Sequence, residues 1–408
     1  EVQLSKTSKQ RKLKPVNLKD IIIQMKDTSE LMLDLAFSTI LFEEDYFAEE
    51  VLELEEKMTE LCFKAREVVM LASKGIKEVE SLSAILQIIQ AAEKVSNAAV
   101  EMATIELRDI GLPKAFFKTM HLIEETITSL VVPENSTVVG KRLDYIEKET
   151  GMQIITMKRN GQWLIKPDGK ITLKAGDRLI AKGPFEALSN FEVLIMGKHV
   201  MMPSISELME PESQRKIREM LVEMMNLSQL SVDLAYSSTI FYNKEIADEV
   251  LKVEERMDRM QEAVEYEILL FAKVTDNVKL LRGLLRLAWA LETIADASVE
   301  MANVVLSGVS LHPIFVSAME ESDEVISKIE VKPNSKLDGL TVTECGLQSD
   351  MGIQIVTIRK ALTGKWEYYP KGDTKIEAGD VLIIKGSKES IDSLINLTTM
   401  ESAPNESR

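Results

Sequence analysis

The chain repeats itself. "NAAVEMA" (Asn97 to Ala103) returns as "DASVEMA" (Asp296 to Ala302), and "LDLAFS" (Leu33 to Ser38) returns as "VDLAYS" (Val232 to Ser237), both 199 positions later. "GMQIITMKR" at Gly151 matches "GIQIVTIRK" at Gly352, and "KAGDRLIAKG" at Lys174 matches "EAGDVLIIKG" at Glu377; the offset there is 201 and then 203. Internal repeats set the architecture before any local pattern does. One unit must fold twice, over roughly 17–197 and 212–398, with small insertions in loops of the second copy.

Each unit changes character midway. From Val51 to Ala72 the apolar residues fall at Val51, Leu54, Met58, Leu61, Ala65, Val68 and Ala72. That is the stripe of an amphipathic helix. Flanking helices are expected over about 18–43 and 79–109, with a break at "GLP" (Gly111 to Pro113) and a shorter helix after it. The second unit repeats this over 213–241, 244–274 and 276–307, with its break near His312 and Pro313. Long helices joined by short loops predict antiparallel three-helix bundles. The period then becomes strand-like. "MQIITMKR" runs into Asn160-Gly161, a hairpin signal because both residues tolerate positive φ, and "QWLIKP" is the return strand. "AGD" is a turn, "RLIAKG" another strand, and "STVVGKRLDYIEKETG" carries a short helix before them.

The fold class read from this pattern is α+β: two three-helix bundles, each followed by a small α+β module. The expected divisions are a basic arm over 1–16, a bundle over 17–128, a module over 129–197 and a linker over 198–211. A second bundle over 212–326, a second module over 327–398 and a tail over 399–408 follow. So small a module has too little core to stand alone, so the two copies are expected to pair about a pseudo-twofold, within the chain or across a dimer.

Charge narrows the function. A net charge of -17 argues against a nucleic-acid partner, since phosphate backbones demand clustered Lys and Arg. Cys62 and Cys345 have no metal-ligand spacing and no disulfide framework. No apolar run is long enough to span a bilayer. A cytoplasmic protein is expected. Phosphate-binding glycine loops of the "GxGxxG" and "GxxxxGK[ST]" kinds are absent, and no serine has the setting of a nucleophile. His121, His199 and His312 lack acidic or Cys neighbours at ligand spacing, and Trp163, Trp289 and Trp366 read as packing residues.

One helix stands out. In "AWALETIADASVEMAN" (Ala288 to Asn303), Glu292, Asp296 and Glu300 occupy every fourth place. They stack on one stripe, where like charges weaken a helix. Ala288, Ala295 and Val299 share that face, so it is half buried. An acid there without a partner takes up a proton or costs several kcal/mol. A divalent cation would relieve it, and so would a basic side chain or a water network. Hard oxygen donors suit Mg, Mn, Ca or Fe.

The run "STVVGKRL…ETGMQIITMKRNGQWLIKPDGKITLKAGDRLIAKG" and its second copy resemble the TrkA C-terminal domain, the ligand-binding half of potassium-transport regulators. The helical parts resemble PhoU, whose bundles carry Glu-x-x-x-Asp pairs that bind metal. "ETIAD" (Glu292, Asp296) is one such pair and "EERMD" (Glu254, Asp258) another. In the first unit Glu55 and Glu93 keep the first place of each pair, while Thr59 and Asn97 replace the aspartates. The resemblance implies a metal set of Glu254, Asp258, Glu292, Asp296 and Glu300, with the first bundle as the poorer site.

TrkA-C-like modules bind small anionic ligands, cyclic di-AMP among them, between paired copies. That implies a pairing strand at Gln153, Ile154 and Ile155, and in the other copy at Gln354, Ile355 and Val356. Arg142 and Arg159 are the candidate anion contacts; solvated surface charge is the other reading of both. Glu147 opposes a phosphate. Together the resemblances imply a non-enzymatic regulator of a cation transporter or channel, potassium first and magnesium second. A PhoU-type phosphate-signalling regulator is the alternative, and a metal-dependent enzyme the third.

Overall fold

The computed structural model describes residues 18–42, 45–72, 76–107, 126–165, 167–183, 185–198, 212–320, 324–368 and 370–399. In the first unit α1 (Leu18–Phe42), α2 (Asp45–Ala72) and α3 (Ile76–Leu107) form the first bundle. A four-stranded antiparallel sheet follows, built from β1 (Thr126–Val131), β2 (Gln153–Arg159), β3 (Gln162–Ile165) and β4 (Arg178–Gly183). Helices α4 (Leu143–Thr150) and α5 (Phe185–Met196) complete the module. The second unit repeats the plan with α6 (Glu212–Ile240), α7 (Lys244–Phe271) and α8 (Val278–Leu306), then α9 (Pro313–Glu320), β5 (Glu324–Glu330), α10 (Leu347–Met351), β6 (Gln354–Arg359), β7 (Trp366–Tyr368), β8 (Val381–Ser387) and α11 (Lys388–Thr399). Strand orders are β1-β4-β2-β3 and β5-β8-β6-β7. The expected α+β duplication is what forms. The strands β1 and β5 begin at Thr126 and Glu324, ahead of the module starts expected at 129 and 327. The short helix expected after Pro113, the linker and both termini lie outside the described residues, as do His121 and His199.

Local chemistry explains the boundaries. Asn243 caps α7 by accepting from the backbone N–H of Glu245 at 2.9 Å and Ile246 at 3.2 Å, and Asn277 caps α8 through Leu280 at 3.1 Å. Asn160 and Gly161 turn the β2–β3 hairpin with φ of 52° and 76°, the two positive values that a tight hairpin matching strand twist requires. The second copy makes this connection longer, through 360–365, and the offset grows from 201 to 203 there.

Each sheet has two buried faces. On one side Ile154, Met157 and Leu179 pack with Leu143, Ile146 and Phe191 of α4 and α5. On the other side Ile127 and Ile180 join the core of the helical bundles, as Ile326, Val356 and Ile383 do in the second copy. A β-bulge between Ile154 and Thr156, repeated between Ile355 and Thr357, permits this. A bulge inserts a residue and re-aims its side chain, so Ile155 and Val356 join the bundle side while Ile154 and Ile355 stay in the module cores.

This corrects the expected pairing strand. β2 and β6 are interior strands with both edges hydrogen-bonded, and their isoleucines are absorbed by cores. Within the chain, the small modules find part of their core on the helices. The two halves meet chiefly through helices. Lys94 on α3 pairs with Glu300 on α8, and Arg286 on α8 with Glu101 on α3, so these helices run antiparallel. Ser29 on α1 lies 3.4 Å from the hydroxyl of Tyr236 on α6.

Candidate functional site

The carboxylates Glu254 and Asp258 on α7 and Glu292 and Asp296 on α8 form one cluster. Glu292 and Asp296 share a hydrogen bond, and the Glu292 carboxyl is pushed up to about 7, first by burial and then by Asp296, Asp258 and Glu254. The Glu254 carboxyl is also raised, by burial and then by Asp258, Asp296 and Glu255. Glu254 and Glu292 are half-buried, whereas Asp258 and Asp296 are exposed. Repulsion of this kind binds protons or cations.

Glu300 is elsewhere. Each i,i+4 step rotates about 40° around a helix, and by the second step the side chain has left the cluster to meet Lys94 across the bundle interface. Glu300 therefore drops out of the expected metal set. Among the described residues no three His, Cys, Asp or Glu side chains are placed to hold a metal ion. The donor chemistry of the remaining four fits a hard cation, but as they stand Glu292 and Asp296 share a hydrogen bond with each other.

The first bundle solved the same problem differently. Glu93, the counterpart of Glu292, takes a hydrogen bond from Arg66 on α2. The residue at the position equivalent to Arg66 is Glu265, which accepts from the indole N–H of Trp289 at 2.6 Å. A tethered guanidinium thus occupies the first bundle where the second holds only acids. Trp289 is more than half exposed, so it is not the packing residue its composition suggested. Trp366 does pack against the bundle core, and the ring Nδ1 of His312 accepts from the Ile314 N–H at 3.3 Å.

The modules show a second set of polar contacts, which the sequence reading missed. Lys182 on β4 donates to Asp34 on α1 at 3.2 Å, and Lys385 on β8 donates to Asp233 on α6 at 3.1 Å. These are equivalent pairs in the two copies. Lys385 also lies 3.8 Å from Glu30, which holds Lys26 at 2.9 Å. Burial pushes the Asp233 carboxyl up, and Lys385 pulls it back. A second ring of contacts surrounds the first. Lys158 on β2 donates to Glu50 on α2 at 2.7 Å, and Tyr368 on β7 donates to Glu249 on α7 at 2.5 Å. The only signal in the sequence was the recurrence of Asp34 as Asp233 and of "AKG" as "IKG".

The expected anion contacts are differently employed. Arg159 grips Asp177 with two hydrogen bonds of 2.7 and 2.6 Å and adds one to the Thr172 carbonyl at 2.8 Å. It braces the "AGD" turn, as Lys360 does through Asp380. Arg142 is exposed and pairs with Asp144. Gln153 and Gln354 are half-buried. Glu147 accepts the Ile154 N–H at 2.8 Å, and burial pushes its carboxyl up to about 7.

The TrkA-C domain family matches residues 127–196 and 326–399, and the PhoU domain family matches residues 22–105 and 221–305. The class is therefore a tandem of regulatory domains, PhoU followed by TrkA-C, occurring twice. The chain belongs to these two families over most of its length. None of the curated proteins matches it. Similar solved structures include PhoU from Pseudomonas aeruginosa, 11% identical, covering 71% of this chain and 93% of that one at a TM-score of 0.39. The phosphate transport system regulatory protein PhoU from Streptococcus pneumoniae is 10% identical, with the same coverages and TM-score. The GsuK channel bound to NAD is 13% identical over 75% of this chain and 65% of that one, at a TM-score of 0.18.

Proposed function

We propose that this protein is a non-enzymatic, cytoplasmic regulator of a membrane cation transporter or channel, potassium first and magnesium second. One observation carries the reading. Each TrkA-C module is fastened to its PhoU bundle by a buried Lys–Asp pair in the same register, Lys182–Asp34 and Lys385–Asp233. A change of state in a module is thereby felt by the helices, which is what a relay from ligand to transporter needs. No helix among the described residues is long and apolar enough to cross a membrane, so the contact with a transporter would be peripheral. The contact of α3 with α8 supports an intramolecular pseudo-dimer; a homodimer would add a second level.

The second bundle would hold a divalent cation, Mg, Mn, Ca or Fe, on Glu254, Asp258, Glu292 and Asp296. Such an ion would supply the positive charge that Arg66 supplies in the first bundle. A small anionic ligand would meet Arg142, the exposed arginine of the two expected contacts. The two PhoU bundles favour a second reading, a regulator of phosphate signalling. Ion uptake by cells with and without the protein tests both. Altered potassium or magnesium uptake is the expected result; altered phosphate uptake alone transfers the conclusion to the second reading. Thermal unfolding against a panel of nucleotides and divalent salts then identifies the ligand, since binding to the native state alone raises stability.

A further inference from the structure

Among the described residues, several large apolar side chains reach solvent around one turn in each bundle. In the second copy Tyr266 and Leu269 near the end of α7 are each 62% exposed, Val274 in the turn 75% and Val278 at the start of α8 73%. In the first copy Met70 and Val79, the counterparts of Leu269 and Val278, are 70% and 50% exposed, and Leu71 is 76%. A single exposed apolar residue needs no explanation. The same exposed positions in two diverged copies do need one.

Charge points to the occupant. In a chain of net charge -17, Lys273, Lys279 and Arg282 stand against Asp276 around Leu269, Val274 and Val278, and all four charges are exposed; Tyr266, one turn earlier, is flanked instead by Glu265 and Glu267. Over the equivalent stretch the first copy has Lys74 and Lys77 against Glu78 and Glu80 and is neutral. Apolar tips ringed by cations suit the boundary between lipid headgroups and acyl chains: the apolar part enters and the Lys and Arg stems keep their charges among anionic headgroups. Because α3 and α8 run antiparallel, the two turns lie at opposite ends of that pair. The 29 residues of α8 make this separation roughly 40 Å. The two turns are therefore separate surfaces, and the positive charge belongs to the α7–α8 turn.

We infer that the α7–α8 turn docks on the anionic surface of a lipid bilayer. The inference goes beyond the proposed regulatory role and is independent of which ion is transported. The test is co-sedimentation of the full chain with vesicles of phosphatidylcholine alone or mixed with phosphatidylglycerol. Binding to the mixed vesicles should be stronger by about tenfold or more and should weaken with salt. Leu269→Asp with Val274→Asp should abolish it. Lys273→Glu with Lys279→Glu should remove the preference for phosphatidylglycerol. Leu362→Asp, an exposed apolar residue far from either turn in sequence, should change nothing. An unaltered thermal unfolding midpoint shows that each variant is folded. Failure to bind either vesicle, or binding that survives the Leu269 and Val274 changes, overturns the inference. So does a turn that ignores vesicles and instead binds polyglutamate, which would assign it to an acidic protein.

Discussion

Lys385 on β8 and Asp233 on α6 meet at 3.1 Å with 4% and 1% of their surfaces exposed, tying the second module to its bundle through charges that water does not reach. Such a pair is costly to build and costlier to break, because removing one partner strands the other. Lys385→Met should destabilise the second half by about 3 kcal/mol. Adding Asp233→Leu should restore most of that, since the buried charge then disappears. Lys182→Met should cost less, because the Lys182–Asp34 pair is more open to solvent. Denaturant unfolding of the four proteins checks the order. A double variant no more stable than Lys385→Met would contradict the assignment.

Stability should also fall as pH rises from about 5 to about 8. The carboxyls of Glu147 and Glu292 are both pushed up to about 7, chiefly by burial, and their ordinary value is 4.5. A raised folded value means that folding takes up protons. The resulting stabilisation is complete below the unfolded value and is lost as pH climbs through the folded one. Glu147→Gln should remove roughly 2 kcal/mol of this loss across the window, because the amide oxygen can still accept the Ile154 N–H and cannot ionise. The second copy already has Gln348 at this place. Glu292→Gln should remove less of the loss, since Glu292 is partly solvated. Unfolding midpoints across the pH range decide this, and a wild-type profile that rises toward pH 8 counts against both assignments.

Much of this was legible before any coordinates. The repeat fixed the domain order, the apolar stripes located the helices, and Asn160-Gly161 announced its hairpin. Carboxylates four apart on α7 and α8 did converge, because helical geometry alone sets that spacing. What sequence could not convey was the partner of each face. Ile154 and Ile155 read as one apolar edge, yet the bulge between them sends one to the module and the other to the bundle. A bulge has no signature in an unbroken β-branched run. Asp34 and Asp233 sit in helices, and nothing local says that a lysine far along the chain, Lys182 or Lys385, will reach them.

Arg159 illustrates the same limit and yields a prediction. As an exposed anion contact it would be dispensable for folding. Instead it holds the buried Asp177 carboxylate. Arg159→Ala should therefore lower the stability of the first module by about 3 kcal/mol, while Arg142→Ala, whose pair with Asp144 lies in solvent, should stay within about 0.5 kcal/mol. Hydrogen exchange at the "AGD" turn gives the local readout. Equal effects of the two changes would return Arg159 to the surface.

The two bundles pose a controlled comparison of a fixed and an exchangeable cation. In the first, Arg66 neutralises Glu93; in the second, Glu292 is surrounded by acids. If a divalent ion takes the part of Arg66 in the second bundle, added Mg, Mn or Ca should raise the unfolding temperature of the wild type. Glu292→Gln should abolish that rise, and should leave stability near neutral pH unchanged or improved when a chelator is present, because it removes repulsion. Glu93→Gln should leave the metal response intact, yet should destabilise in chelator by about 1 kcal/mol, since it leaves a partly exposed Arg66 without its carboxylate. The distinguishing measurement is thermal unfolding of the three proteins with chelator and with each metal. A metal response that persists in Glu292→Gln, or that vanishes in Glu93→Gln, would place the cation somewhere other than the α7–α8 cluster.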